Sequence, residues 1–144
     1  SMNDVSDIKT YGEDLFLDTG SPHYVKIVKN LENFDVYNEG KLIRNSNEFF
    51  KHGVNVNFVK IISEKEFVVR TFERGVEDET LSCGTGVTAV AIAMHKTQKT
   101  TNTLISLPVE GGTLEVSFSE ENGLYKNIFL KGPAKAVFKG NITI

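Results

Sequence analysis

The sequence has too little cysteine and histidine for a disulfide scaffold or a metal cluster: it holds one cysteine and three histidines. No internal disulfide can form, and no Cys/His group has metal-ligand spacing. The single thiol, Cys83, is therefore packing or chemistry. Basic residues are outnumbered, and the net charge of -3 at pH 7 leaves no basic footprint of the kind a nucleic acid or an anionic membrane demands. Long hydrophobic runs are missing as well. The longest, around residues 87 to 94, is far too short to span a bilayer, and no secretory leader precedes it, so a cytoplasmic location is expected. Internal repeats, low-complexity tracts and linkers are not seen.

What remains is an ordinary globular composition, 40% hydrophobic and 24% charged over 144 residues, enough for one core and one domain. Ser1 and Met2 read as a tag remnant, and Asn3 to Glu13 are polar without a clear element, so residues 1–14 are set apart from a unit that starts at Leu15. Leu15-Phe16-Leu17 breaks at Asp18-Thr19-Gly20-Ser21-Pro22, and His23 to Val28 has the alternation of a strand. Asp35 is placed to cap a short helix from Val36 to Arg44, interrupted by Gly40. Residues 45–53 read as loop.

From Val54 to Ile62, and again from Phe67 to Arg74, β-branched and aromatic residues predict a hairpin. If it is symmetric about Glu64-Lys65, Ile62 faces Phe67 and Asn55 lies opposite Arg74. Gly84 to Lys96 predicts a helix that is apolar nearly all round and hence buried, with His95 and Lys96 at the negative end of its dipole. Four more strands are predicted, at Thr103–Leu107, Thr113–Phe118, Leu124–Lys131 and Ala134–Phe138. The sum is an α+β unit, a strand-rich antiparallel or mixed sheet wrapped around one central buried helix.

Chemistry concentrates at Ser82-Cys83-Gly84-Thr85-Gly86, directly before that helix. A thiol at a helix N-terminus meets the positive end of the macrodipole, which favours thiolate, and the glycines let a carboxylate approach the free N–H groups. The bland alternative is a small core hydrophobe at a turn. Arg74 is a planar fork suited to a carboxylate and Glu73 a candidate proton relay or ammonium partner; the alternative is an exposed ion pair at a strand end. Adjacent strand residues point to opposite faces, so both can line one pocket only across a bulge. His23 is a candidate general base or thiol-activating group, and Asn55 a candidate hydrogen-bonder of substrate; each could also be purely structural.

The stretch Glu73-Arg74-Gly75-Val76-Glu77-Asp78-Glu79-Thr80-Leu81-Ser82-Cys83-Gly84-Thr85-Gly86 closely resembles the second cysteine motif of the diaminopimelate epimerases. Gly20-Ser21-Pro22-His23 is similar to that family's Gly-Asn-Pro-His turn, and Val54-Asn55-Val56-Asn57-Phe58 to its Asn-Val-x-Phe strand. The resemblance implies a diaminopimelate-epimerase-like lobe, with residues 15–144 as the C-terminal half of a two-lobe isomerase that interconverts LL- and meso-diaminopimelate, for lysine and peptidoglycan precursors, without metal or other cofactor. It implies that Cys83 is one of two proton-transferring cysteines, that His23 and Glu73 assist, and that Asn55, Glu73, Arg74, Gly84 and Thr85 contact the substrate. Ser21 stands where the family usually has a substrate-binding Asn, and the Val76–Glu79 loop is one residue longer than the family's.

The first-lobe cysteine motif does not occur here. Inversion by two bases needs a group on each face of the carbon, so the chain alone is expected to be inactive. Residues 138–144 are expected to pack with the missing N-terminal lobe or, left exposed, to pair two copies into a homodimer. Two alternatives stand beside this reading: another two-base racemase of the same fold, such as a proline racemase, and a non-catalytic half-protein that pairs with itself.

Overall fold

The computed structural model describes residues 1–144. Its elements are β1 (Ile8–Tyr11), β2 (Asp14–Asp18), β3 (Pro22–Ile27), α1 (Val36–Arg44), β4 (Asn55–Ser63), β5 (Glu66–Glu73), β6 (Asp78–Thr80), α2 (Gly84–Lys96), β7 (Leu104–Val109), β8 (Gly112–Glu121) and β9 (Leu124–Lys131). All nine strands join one mixed sheet in the order β1-β2-β3-β4-β5-β7-β8-β9, with β6 branching from β5. Only β3–β4 and β5–β7 are parallel. These are the two places where a helix lies between the paired strands, as a parallel crossover requires. No helix is long and apolar enough to cross a membrane.

Every residue of α2 from Gly86 to Met94 is buried. A helix without a polar face has to be surrounded, and here the sheet curls about it, packing Leu15, Leu17, Val25, Val59, Phe67, Val69, Ile105 and Ile128 against it. Ala89, Ala91 and Ala93 keep its girth small, while Val87, Val90, Ile92 and Met94 each contribute roughly 1.5–3 kcal/mol of burial. A smaller core on the outer face, with Tyr24, Val56, Phe58 and Phe72, lies under α1. Asp35 caps α1 as expected, accepting from the Asn38 amide at 3.0 Å. Gly40, an oddity in a helix, has its reason here: a Cβ would lie 2.4 Å from Phe72 Cβ, so only glycine lets α1 lie this close to β5.

Three expectations are corrected. Asn3 to Glu13 are not featureless: they include β1, and ahead of it Val5 and Tyr125 exchange two backbone hydrogen bonds of 2.9 and 2.8 Å while the Met2 amide donates to the Ile128 carbonyl at 2.8 Å. The segment before β1 thus occupies the outer edge of β9 and bridges the two ends of the sheet. Ala134 to Phe138 form no strand, because that edge is already taken and a strand needs a neighbour. Val137, Phe138 and Ile142 are 82%, 87% and 88% exposed. The β4–β5 hairpin also shifts register. Ser63 pairs with Glu66 but Ile61 with Phe67, leaving Ile62 as the extra residue of a bulge, and the ladder then runs to Val56 opposite Phe72. Arg74 consequently lies past the end of β5 rather than across from Asn55.

Candidate active site

Period-two alternation decides which side chains meet. On β4, Asn55 and Asn57 share the face of Val59, which packs toward α2; on β3, His23 shares the face of Val25. Thr71 and Glu73 follow Phe67 and Val69 on the same face of β5. The first turn of α2 descends onto this row, carrying Cys83, Thr85 and Gly86.

Cys83 stands at the N-cap of α2 with an extended backbone and no capping hydrogen bond of its own side chain. Its sulfur lies 3.5 Å from Thr85 Oγ1, which is 2.8 Å from His23 Nε2 and 3.1 Å from Ser21 Oγ; Ser21 Oγ is 2.9 Å from the same ring nitrogen. Thr85 is held in turn by Thr19, whose hydroxyl donates to its carbonyl at 2.7 Å. Asn55 Nδ2 donates to Ser21 Oγ at 3.3 Å and to the Pro22 carbonyl at 3.1 Å. Its Oδ1 accepts from the Arg74 amide at 2.8 Å, so Asn55 ties the β2–β3 turn to the end of β5 despite the register shift.

Cys83 is 9% exposed and packed among polar groups. Burial pushes its thiol above the ordinary range, and the charge of Glu73 adds to this; the Thr85 hydroxyl and the Gly86 and Thr85 amides act the other way. The expectation of a thiol lowered by the helix terminus is therefore corrected: in this chain desolvation wins and Cys83 rests protonated at neutral pH. His23 is fully buried. Burial first, then the charge of Arg74, hold its imidazole down to about 3, so it is neutral at pH 7 and a far weaker base than an ordinary histidine.

Glu73 and Arg74 diverge, as strand geometry requires. Glu73 Oε2 accepts from the Thr80 hydroxyl at 3.0 Å on the Cys83 side. Arg74 Nη1 donates to the His52 carbonyl at 2.8 Å, and its stem lies against Gly53. The hairpin's irregularity falls at Ile61/Ser63, not between these two residues. The stretch read as a loop after Arg74 is a second hairpin: β6 pairs with β5, locked by Arg70, whose Nε and Nη2 each reach a Glu79 carboxylate oxygen at 2.6 Å.

The structure thus gathers Cys83, Thr85, Ser21, His23 and Asn55 into one contiguous network, puts Gly84 at its rim and Glu73 beside it, and leaves the Arg74 guanidinium at its margin. Sequence reading did not single out Asn57, Thr71, Thr19 or Thr80. Their signal was the alternation that places polar side chains on a face otherwise destined for the core. No group of three or more His, Cys, Asp or Glu side chains is arranged to hold a metal ion. Surface hollows of about 360 Å³ beside Leu15 and Ile27 and about 310 Å³ beside His95 and Tyr125 lie elsewhere and do not include Cys83.

Residues 15–137 match the family model described as diaminopimelate epimerase. The chain is 54% identical over 141 residues to the diaminopimelate epimerase of Flavobacterium psychrophilum, covering 98% of this chain and 55% of that protein. It is 48% identical over 130 residues to that of Chlorobaculum tepidum, covering 90% and 49% respectively. The chain therefore spans about half the length of the curated relatives it matches. Among solved structures, a hydroxyproline epimerase from Agrobacterium vitis superposes with a TM-score of 0.55 at 13% identity, over 90% of this chain and 41% of that one. A Bacillus anthracis protein of the phenazine biosynthesis PhzF family gives 0.56 at 16%, over 90% and 40%. These likenesses extend to the fold, while the sequence match decides the kinship: the chain belongs to the diaminopimelate epimerase family.

Proposed function

We propose that this chain is the C-terminal lobe of a two-lobe epimerase that interconverts LL- and meso-diaminopimelate, with Cys83 as one of two acid–base thiols. The observation that carries the reading is the location of Cys83: a thiol at the open end of a buried helix, linked through Thr85 to a buried imidazole. In the proposed reaction the α-carboxylate docks at the open N-terminus of α2, on the Gly84 amide beside Thr85, where the helix dipole offsets the charge that builds as the α-proton leaves. One thiolate removes that proton and a thiol on the opposite face returns one. Cys83, protonated at rest, begins as the donor toward one stereoisomer and, once it has given its proton up, serves as the base for the reverse direction. Asn55 and Ser21 border the same opening, and Glu73 and Arg74 lie at its edge, so these are the residues proposed to contact substrate.

One cysteine supplies one face only, and the second face belongs in this reading to an N-terminal lobe that includes the other thiol. Val76 and Leu81, 57% and 63% exposed near Cys83 in the chain, are apolar surface that such a lobe would cover. The test is a two-lobe protein carrying Cys83→Ala: interconversion of LL- and meso-diaminopimelate, followed by α-proton exchange in heavy water, is expected to be abolished while the circular dichroism spectrum stays native. Retention of near-wild-type turnover would refute the assignment. Turnover of proline in place of diaminopimelate would instead favour the related racemase reading.

A further inference from the structure

We infer that Asn57 is a positioning residue that fixes His23 as an Nε2–H donor, so that a directed chain of hydrogen bonds runs Thr71 to Asn57 to His23 to Thr85 and ends on the Cys83 sulfur. The inference deepens the reading of Cys83 as an acid–base group and rests on it for its catalytic meaning, though not for its geometry.

The direction follows from the surroundings of one buried carboxamide. Asn57 is wholly buried, and its nitrogen lies 3.1 Å from the Tyr24 carbonyl and 3.0 Å from His23 Nδ1, while its oxygen accepts from the Thr71 hydroxyl at 2.9 Å. Turning the amide over would set its oxygen against the Tyr24 carbonyl oxygen, two acceptors face to face without water. The orientation is therefore inferred from the network, and it makes Nδ1 an acceptor. A neutral imidazole accepting at Nδ1 holds its proton at Nε2. Gly86 leaves the room for this arrangement, since a Cβ there would lie 2.4 Å from Asn57 Oδ1.

From Nε2 the proton count continues. Nε2–H faces Thr85 Oγ1 at 2.8 Å and Ser21 Oγ at 2.9 Å. Ser21 Oγ already accepts from Asn55, and its own hydroxyl lies 3.1 Å from Thr85 Oγ1. With Ser21 donating to Thr85 Oγ1, as the ring does, the acceptor left for the Thr85 proton is the Cys83 sulfur at 3.5 Å. His23 accordingly acts as a neutral donor that turns the Thr85 hydroxyl toward the thiolate, and not as the base that deprotonates the thiol. With the opposite tautomer, Nε2 would accept from Thr85 and draw that hydroxyl away from the sulfur. The charged and titratable groups around this chain are Glu73 and Arg74 at the end of β5, His23 on β3 and Cys83 itself.

The experiment uses the 144-residue chain. Long-range proton–nitrogen correlation spectra of histidine-labelled protein report the His23 tautomer directly, and an Nε2–H form with unprotonated Nδ1 is expected from about pH 6 to 8. The pH profile of Cys83 alkylation by iodoacetamide supplies the second readout. Thr85→Val is expected to raise its midpoint by about one pH unit, a roughly tenfold slower reaction at fixed pH below the midpoint, with Thr85→Ser close to wild type. Asn57→Leu is expected to slow it about threefold and to mix the tautomers; should that variant fail to fold, Thr71→Val removes only the hydroxyl that anchors the amide. An Nδ1–H ring or an imidazolium in the wild-type spectrum overturns the inference, as does a profile unmoved by Thr85→Val. Neither outcome bears on the turnover test of Cys83→Ala in the two-lobe protein, so failure here and failure of the proposed function are separable.

Discussion

Replacing His23 with glutamine should change how stability depends on pH more than it changes stability at neutrality. The ring has no exposure to solvent, and burial together with the nearby Arg74 charge hold its protonation down to about 3 against an ordinary 6.5. Unfolded chain therefore binds a proton below 6.5 that the folded chain refuses until about 3. Stability from this group is intact above the unfolded value and is lost as pH falls, at about 1.4 kcal/mol per pH unit. Between about pH 7 and pH 5 the loss amounts to roughly 2 kcal/mol, a large part of the margin of a domain this size. Glutamine keeps an amide N–H near the Nε2 position and cannot be protonated. Urea unfolding of both proteins at the two pH values gives the double difference, in which carboxylates and the other histidines cancel. The wild-type advantage over His23→Gln should shrink by roughly 2 kcal/mol on going to the lower pH. An advantage that stays constant would show that the buried imidazole takes up its proton at no cost, and the reasoning from burial would fail.

Gly86→Ala should destabilise the chain by about 1–3 kcal/mol and slow Cys83 alkylation together, because the new methyl meets the Asn57 oxygen, which Thr71 holds in place; chemical denaturation with alkylation kinetics checks both, and a wild-type alkylation rate would refute the link. Glu73→Gln keeps the bond from Thr80 while removing a charge that raises the thiol, so Cys83 alkylation near neutral pH should quicken by about threefold, and a slower reaction would mean that Glu73 acts otherwise.

Much of this was legible along the chain. Gly84 to Lys96 has no polar face and could only be an enclosed helix, and the observed α2 has those bounds. Asp35 marked the start of α1, and alternation marked β4, β5, β8 and β9. The motifs around Gly20, Val54 and Cys83 identified the family and the residues that now adjoin one another. The register of β4 against β5 was not legible, because a single bulge at Ile62 moves every later pair by one and no local signal marks it. Nor was the closure of the sheet by Met2 to Val5, since a segment of so few residues has little pattern, and its place depends on the vacant edge of β9.

The amino-acid order by itself determined most of the elements, that one helix is engulfed, and that a lone thiol sits at that helix's entrance. It also pointed to the thiol's ionisation in the wrong direction, because dipole and N–H groups are local properties whereas desolvation depends on everything packed around the sulfur. Tertiary structure alone decided that Cys83 rests protonated, that Arg74 turns away from the face Glu73 occupies, and that Asn57 and Thr71 lie behind His23. Those outcomes depend on pairings between strands far apart in the chain, whose energies are set by contacts that exist only once the sheet has closed.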